Sequence, residues 1–119
     1  MVSVLTTFEE VCYAEDAKGP NKEQRRMTYS DIRMVWSQLF QETLGPLPKT
    51  IHNDCCAQFA VTRDRIWLRS KSFYARCYDW LLSASLPPER SGRVFEQLWR
   101  LIFSAGTLQV KDTSLMLPC

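Results

Sequence analysis

The stretch Thr28-Tyr29-Ser30-Asp31-Ile32-Arg33-Met34-Val35-Trp36-Ser37-Gln38-Leu39-Phe40 decides the fold class. Tyr29, Ile32, Val35, Trp36, Leu39 and Phe40 recur at spacings of three and four, the period of one helix face. Asp31, Arg33, Ser37 and Gln38 fall mostly off that stripe. Thr28 or Ser30 can cap the start, because a hydroxyl oxygen accepts from a free backbone N–H of the first turn. Gly45-Pro46 then stops the run, since glycine suits a left-handed exit and proline cannot continue the turn. The spacing predicts an amphipathic helix over 28–43.

Working outward, two further segments carry the same period. Ser70 or Ser72 opens a second helix with Phe73, Cys77, Trp80, Leu81 and Ala84 inward, closed by Pro87-Pro88. Ser91 caps a third, with Val94, Phe95, Leu98, Trp99, Ile102 and Phe103 inward and Gly106 at its end. Between the first two helices, residues 55–62 alternate as a strand would, with Ala57, Phe59 and Val61 on one face. Residues 63–70 read as a turn or short helix. Upstream, Val2, Val4, Leu5 and Phe8 suit one short strand or helical turn, and Ala14 to Arg26 reads as a solvated loop broken by Gly19-Pro20-Asn21. The fold expected is α+β and mostly helical, with about three amphipathic helices and a short strand or small sheet. It forms a single small domain over 1–119, with an irregular segment at 1–27, a core at 28–104 and a loose tail at 105–119.

Composition sets the outer bounds. The chain has 119 residues, 45% hydrophobic and 24% charged, near globular averages. That excludes a disordered chain, a collagen-like fibre and a coiled-coil rod. Apolar runs such as Trp80-Leu81-Leu82 are far too short to span a bilayer, so no membrane role is expected. Net charge is +2, too small for a whole-chain grip on a polyanion. The start, Met1 to Glu10, lacks a basic end and an apolar run like those of a secretory leader, so a cytoplasmic location is expected. The five cysteines, Cys12, Cys55, Cys56, Cys77 and Cys119, are odd in number and read as reduced thiols.

Chemistry-bearing motifs are sparse. His52 precedes Cys55-Cys56, but a zinc site needs about four ligands at set spacing, and adjacent strand residues point to opposite faces. His52 therefore reads as a loop histidine, and neither a metal nor a cofactor is expected. Arg63, Arg65, Arg69, Lys71 and Arg76 alternate with Trp67, Phe73 and Tyr74. Guanidinium forks and ring faces suit phosphates and unstacked bases, yet the same pattern also describes a solvated face beside a core stripe. Ser91-Gly92-Arg93 ahead of a helix could cradle an anion on free backbone N–H groups, or could be an ordinary cap. Glu96, three residues after Arg93, either pairs with it on the helix surface or faces a cleft as a base. There is no glycine-rich phosphate loop and no nucleophile elbow.

Two blocks together resemble a known family. Cys55-Cys56-Ala57-Gln58-Phe59-Ala60-Val61-Thr62-Arg63-Asp64-Arg65-Ile66 resembles a signature of Domain of Unknown Function 3431, a mainly fungal family. Phe73-Tyr74, Asp79-Trp80-Leu81-Leu82 and Ser91-Gly92-Arg93-Val94-Phe95-Glu96-Gln97-Leu98-Trp99 with Ile102-Phe103 are similar to its later helices. The resemblance runs over 28–104 and matches only the C-terminal part of family domains. Arg100 stands where the family usually has His, and Ser104 where it usually has Gly. Family members look distantly like nucleotide-sugar glycosyltransferases, which implies an alternative fold, the C-terminal half of a glycosyltransferase-like α/β layer fold. It also implies site residues: Gln58 and Glu96 in catalysis, and Arg63, Ser91, Gly92 and Arg93 on a phosphate-bearing substrate.

Three functions stay open at this point. One is a non-catalytic interaction or self-associating module, because half a layered fold exposes a face that another chain would cover. Its partners would be a second copy or another protein. The second is a small transferase-like enzyme acting on a sugar or phosphate-bearing ligand. The third, nucleic-acid binding through 63–76, is the least expected.

Overall fold

The computed structural model describes residues 10–54 and 59–104. In chain order these form β1 (Glu10–Ala14), α1 (Lys22–Leu39), α2 (Gln41–Leu44), β2 (Thr50–Asp54), α3 (Arg63–Trp67), α4 (Lys71–Ser83) and α5 (Pro88–Ile102). β1 and β2 pair antiparallel, with Cys12 opposite His52 and Ala14 opposite Thr50. The described chain is thus α+β and mostly helical, three long helices packed with a two-stranded ribbon.

The N-terminal segment departs from its reading as irregular. It contributes β1 and the start of α1, which begins at Lys22, ahead of the expected 28. Lys22, Glu23, Gln24, Arg25 and Arg26 are straight-chain residues that lose little freedom in a helix, so a charged run can be helical without an apolar stripe. Asn21 makes the entry in the left-handed region, at φ 58°. Arg25 is buried at 8% exposure and braces the corner. Its guanidinium donates to the carbonyls of Cys12 at 2.8 Å, Pro20 at 2.8 Å and Lys18, tying strand, loop and helix together.

The strand also lies elsewhere than 55–62. β2 occupies Thr50–Asp54, and Phe59 to Thr62 carry no strand; residues 55–58 lie outside the described residues. Strand position here follows the available partner, β1, more than side-chain type. His52 accordingly sits in a strand and not in a loop. The expected breakers shift too. Pro88 opens α5, where its fixed φ and missing N–H fit the first turn, and α4 has already ended at Ser83. Ser70 caps α4 as expected, its Oγ accepting from the Phe73 N–H at 3.1 Å. Gly45 ends α2 at φ 86°, where a Cβ would be strained.

The core gathers where the long helices meet. Phe40, between α1 and α2, is fully buried, with its ring centroid 5.4 Å from Trp36, 6.2 Å from Phe73 and 5.8 Å from Phe95. Ile32, Leu98, Ile102 and Val94 are fully buried in the same core cluster. Asp31 is buried as well, although the periodicity places it off the stripe. Arg90 of α5 clamps it through two bonds, at 3.0 and 2.6 Å. Tyr29 and Trp36 donate to the carbonyls of Pro48 and Gly45, at 2.6 and 2.8 Å, and pin the connection into β2.

Phe40→Ala removes a ring shared by three helices. It is expected to cost about 3–5 kcal/mol of stability, read from the shift of a urea unfolding midpoint at unchanged slope. A loss below about 1 kcal/mol would contradict the packing described.

Candidate functional site

The residues singled out from sequence do not converge on one point. Gln58 lies outside the described residues. Arg63 is exposed at the start of α3, with its guanidinium 5.5 Å above the Trp67 ring. Ser91 and Gly92 lie inside α5 and not ahead of it, because the helix begins at Pro88. The Ser91 N–H already bonds the Pro87 carbonyl at 3.0 Å, so it is not one of the open donors that an anion would need. The Ser91 Oγ donates to the Pro88 carbonyl at 3.3 Å, and Gly92 faces open space.

Arg93 and Glu96 do come together, around a residue the sequence does not single out. Tyr13 of β1 is buried at 8% exposure against α5. Burial raises the pKa of its hydroxyl, the Glu96 charge raises it further, and Arg25, Arg93 and a hydrogen bond from Gln97 pull it back. With the Gln24 amide oxygen turned toward α5, it accepts from both terminal nitrogens of Arg93, at 3.0 and 3.1 Å. A tyrosine, a carboxylate, two guanidiniums and two amides thus share the corner between β1, α1 and α5. The only sequence signal for Tyr13 is its place in Cys12-Tyr13-Ala14, too short a run to show a face. Its chemical capacity is proton transfer or hydrogen bonding at the phenol, with Glu96 disfavouring the phenolate.

Across the ribbon, Nε2 of His52 stands 3.9 Å from the Cys12 sulfur. Cys12 is disulfide-bonded, which corrects the expectation of reduced thiols at that position. Cys77 of α4 is a free thiol. No group of three potential metal ligands occurs among the described residues. No helix among them is long and apolar enough to cross a membrane.

Two arginines of 63–76, Arg65 and Arg69, have structural duties. Arg69 donates to the carbonyls of Ile102, Leu101 and Ser104, at 2.8, 3.3 and 3.2 Å, and Arg65 to that of Phe103 at 3.2 Å. They close the C-terminal end of α5, where four carbonyls lack helix partners and the dipole favours cations. The cause lies in the fold: α3 packs beside the end of a helix over thirty residues away in sequence.

A cleft opens between α4 and α5, with a volume of about 190 Å³. Tyr74, Cys77, Tyr78 and Leu81 of α4 face Phe95 and Trp99 of α5 across it, above Phe73 and Ile102. Trp99, expected inward, is only partly buried and stacks on Phe103 at 5.6 Å with the planes 8° apart. Tyr78 in the wall is 63% exposed, and Leu82, next in the chain to the wall residue Leu81, is 71% exposed. The Tyr74 hydroxyl donates to the Ile66 carbonyl at 2.6 Å, which brings the end of α3 alongside α4.

The Tyr13 corner has a titration signature. Glu96→Gln removes a charge that raises the Tyr13 pKa, so tyrosinate absorbance is expected to develop at lower pH than in the parent. Arg93→Met is expected to shift it the other way. Because the folded pKa lies above the ordinary tyrosine value of 10.0, Tyr13 contributes stability that is full below pH 10 and lost as pH rises toward the folded value. An identical titration in the parent and both variants would contradict the geometry.

A family model described as "Protein of unknown function (DUF3431)" matches residues 4–115. No curated protein and no solved structure matches. The matched span is longer than the 28–104 that carries the sequence resemblance, and the chain belongs to that family.

Proposed function

We propose that this DUF3431 chain is a non-catalytic association module whose α4 face is buried against a second protein chain, in the first instance another copy of itself. One observation carries the reading: Tyr78, Leu81 and Leu82, spaced three and four along α4, are 63%, 39% and 71% exposed, and Trp67 at the end of α3 and Leu68 just after it are 70% and 47% exposed. Isolated exposed apolar residues are ordinary, whereas a row on one helix face beside an apolar cleft marks an interaction surface. Aromatic residues in such a row are the side chains that anchor interfaces. A cytoplasmic location and descent from a layered, glycosyltransferase-like domain belong to the same proposal.

A second reading, a small transferase-like enzyme acting on a sugar or phosphate-bearing substrate, draws on a different observation. Arg93 and Glu96 both bear on the buried Tyr13 hydroxyl, and a carboxylate beside a phenol is a plausible proton relay. It is the weaker reading, because the cleft lies on the α4 side of α5 and neither Arg93 nor Glu96 lines it.

A photo-crosslinking residue placed at Leu82 is expected to capture a second protein chain, while one at exposed Gln38 of α1 is not. Leu82→Lys should abolish association and change stability by no more than about 0.5 kcal/mol, as surface substitutions do. Equal capture from both positions, or none from Leu82, would contradict the reading.

A further inference from the structure

We infer that the cleft between α4 and α5 is a binding site for a small, uncharged aromatic molecule of one or two fused rings. The inference does not rest on the association reading. Leu82, the residue that tests that reading, is not part of the cleft wall.

Size, lining and the state of the polar atoms point the same way. The cleft holds about 190 Å³. An engineered apolar cavity of about 150 Å³ stays dry and takes up benzene, so this one has room for a ring and part of a second. Phe95, Trp99 and Tyr78 present ring faces and edges, and Leu81 and Ile102 add aliphatic surface. Offset and edge-to-face contacts with such rings favour an aromatic guest over an aliphatic one of equal size.

Little of the wall's surface is polar, so it offers little to a charged or strongly hydrogen-bonding ligand. The Tyr74 hydroxyl is engaged with the Ile66 carbonyl. Burial pushes the Cys77 thiol up to about 11, so near neutral pH it is an uncharged, weakly polar part of the wall. A carboxylate or phosphate placed there would lose its hydration with no cation facing it, since no Lys or Arg lines the cleft.

The test uses indole and the full chain carrying Leu82→Lys, so that self-association cannot cover the opening. Titration followed by amide chemical shifts is expected to saturate, with Kd on the order of 0.1 mM for a ligand of this size. The shifts should be confined to α4, α5 and the end of α3. Saturating indole should slow alkylation of Cys77 by N-ethylmaleimide about fivefold or more, read by peptide mass mapping. Indole-3-acetate, with a charge added, should bind about tenfold more weakly or worse. Leu81→Trp, at a partly exposed wall position, should fill the opening and weaken indole about tenfold. Cys77→Met, which fills from beneath, serves as the second variant if the first does not fold. Shifts that do not saturate, shifts spread over the surface, or tight binding retained in a folded, filled variant would each overturn the proposal. Failure here leaves the Leu82 crosslink untouched, and failure of the crosslink leaves this site untouched.

Discussion

The burial of Phe40 holds the architecture together. Its ring sits where α1 ends and α2 begins, and it meets Trp36, Phe73 and Phe95, one ring from each long helix. In a chain of 119 residues the core is thin, and few positions can touch every layer at once. Edge-to-face contacts with Phe73 and Phe95 fix how α4 and α5 lie against α1. The same helix placement leaves a gap between α4 and α5 lined by Cys77, Leu81 and Trp99. The cleft is therefore a consequence of the packing that stabilises the fold.

Polar groups perform the second task, closing the ends of elements. Arg25 reaches three carbonyls around the corner before α1, and Arg69 reaches three at the end of α5. Asp31 and Arg90 lock α1 to α5 in a two-bond fork. Guanidinium groups suit this work because their planar donors satisfy several acceptors while staying charged. The basic stretch that could have served a phosphate backbone contains two arginines, Arg65 and Arg69, directed at the protein's own backbone.

What the sequence revealed follows from how local each feature is. The stripe Tyr29, Ile32, Val35, Trp36, Leu39 and Phe40 is a helix by its own spacing, and all six residues are buried. The Ser70 cap is equally local. The strand was not legible, because Thr50–Asp54 is a strand through its pairing with Glu10–Ala14, some forty residues away. The burial of Asp31 was hidden for the same reason, its partner Arg90 lying on another helix. At the candidate site the relation between Arg93 and Glu96 was readable from a helical spacing of three. The phenol they bear on, Tyr13, belongs to a five-residue strand with no pattern of its own. Leu81 reads as core by period yet remains 39% exposed at the wall of the cleft between α4 and α5. That residual exposure was beyond periodicity, and it is the feature from which the association reading grows.

The central claim is that the α4 face is covered by another copy of the chain in solution. Light scattering coupled to size exclusion, run across a concentration series under matched conditions, tests it most directly. The account predicts a mass above 13.9 kDa that rises with concentration, and a return to 13.9 kDa in Leu82→Lys with the fold intact. A parent chain that stays at 13.9 kDa throughout the series would contradict it.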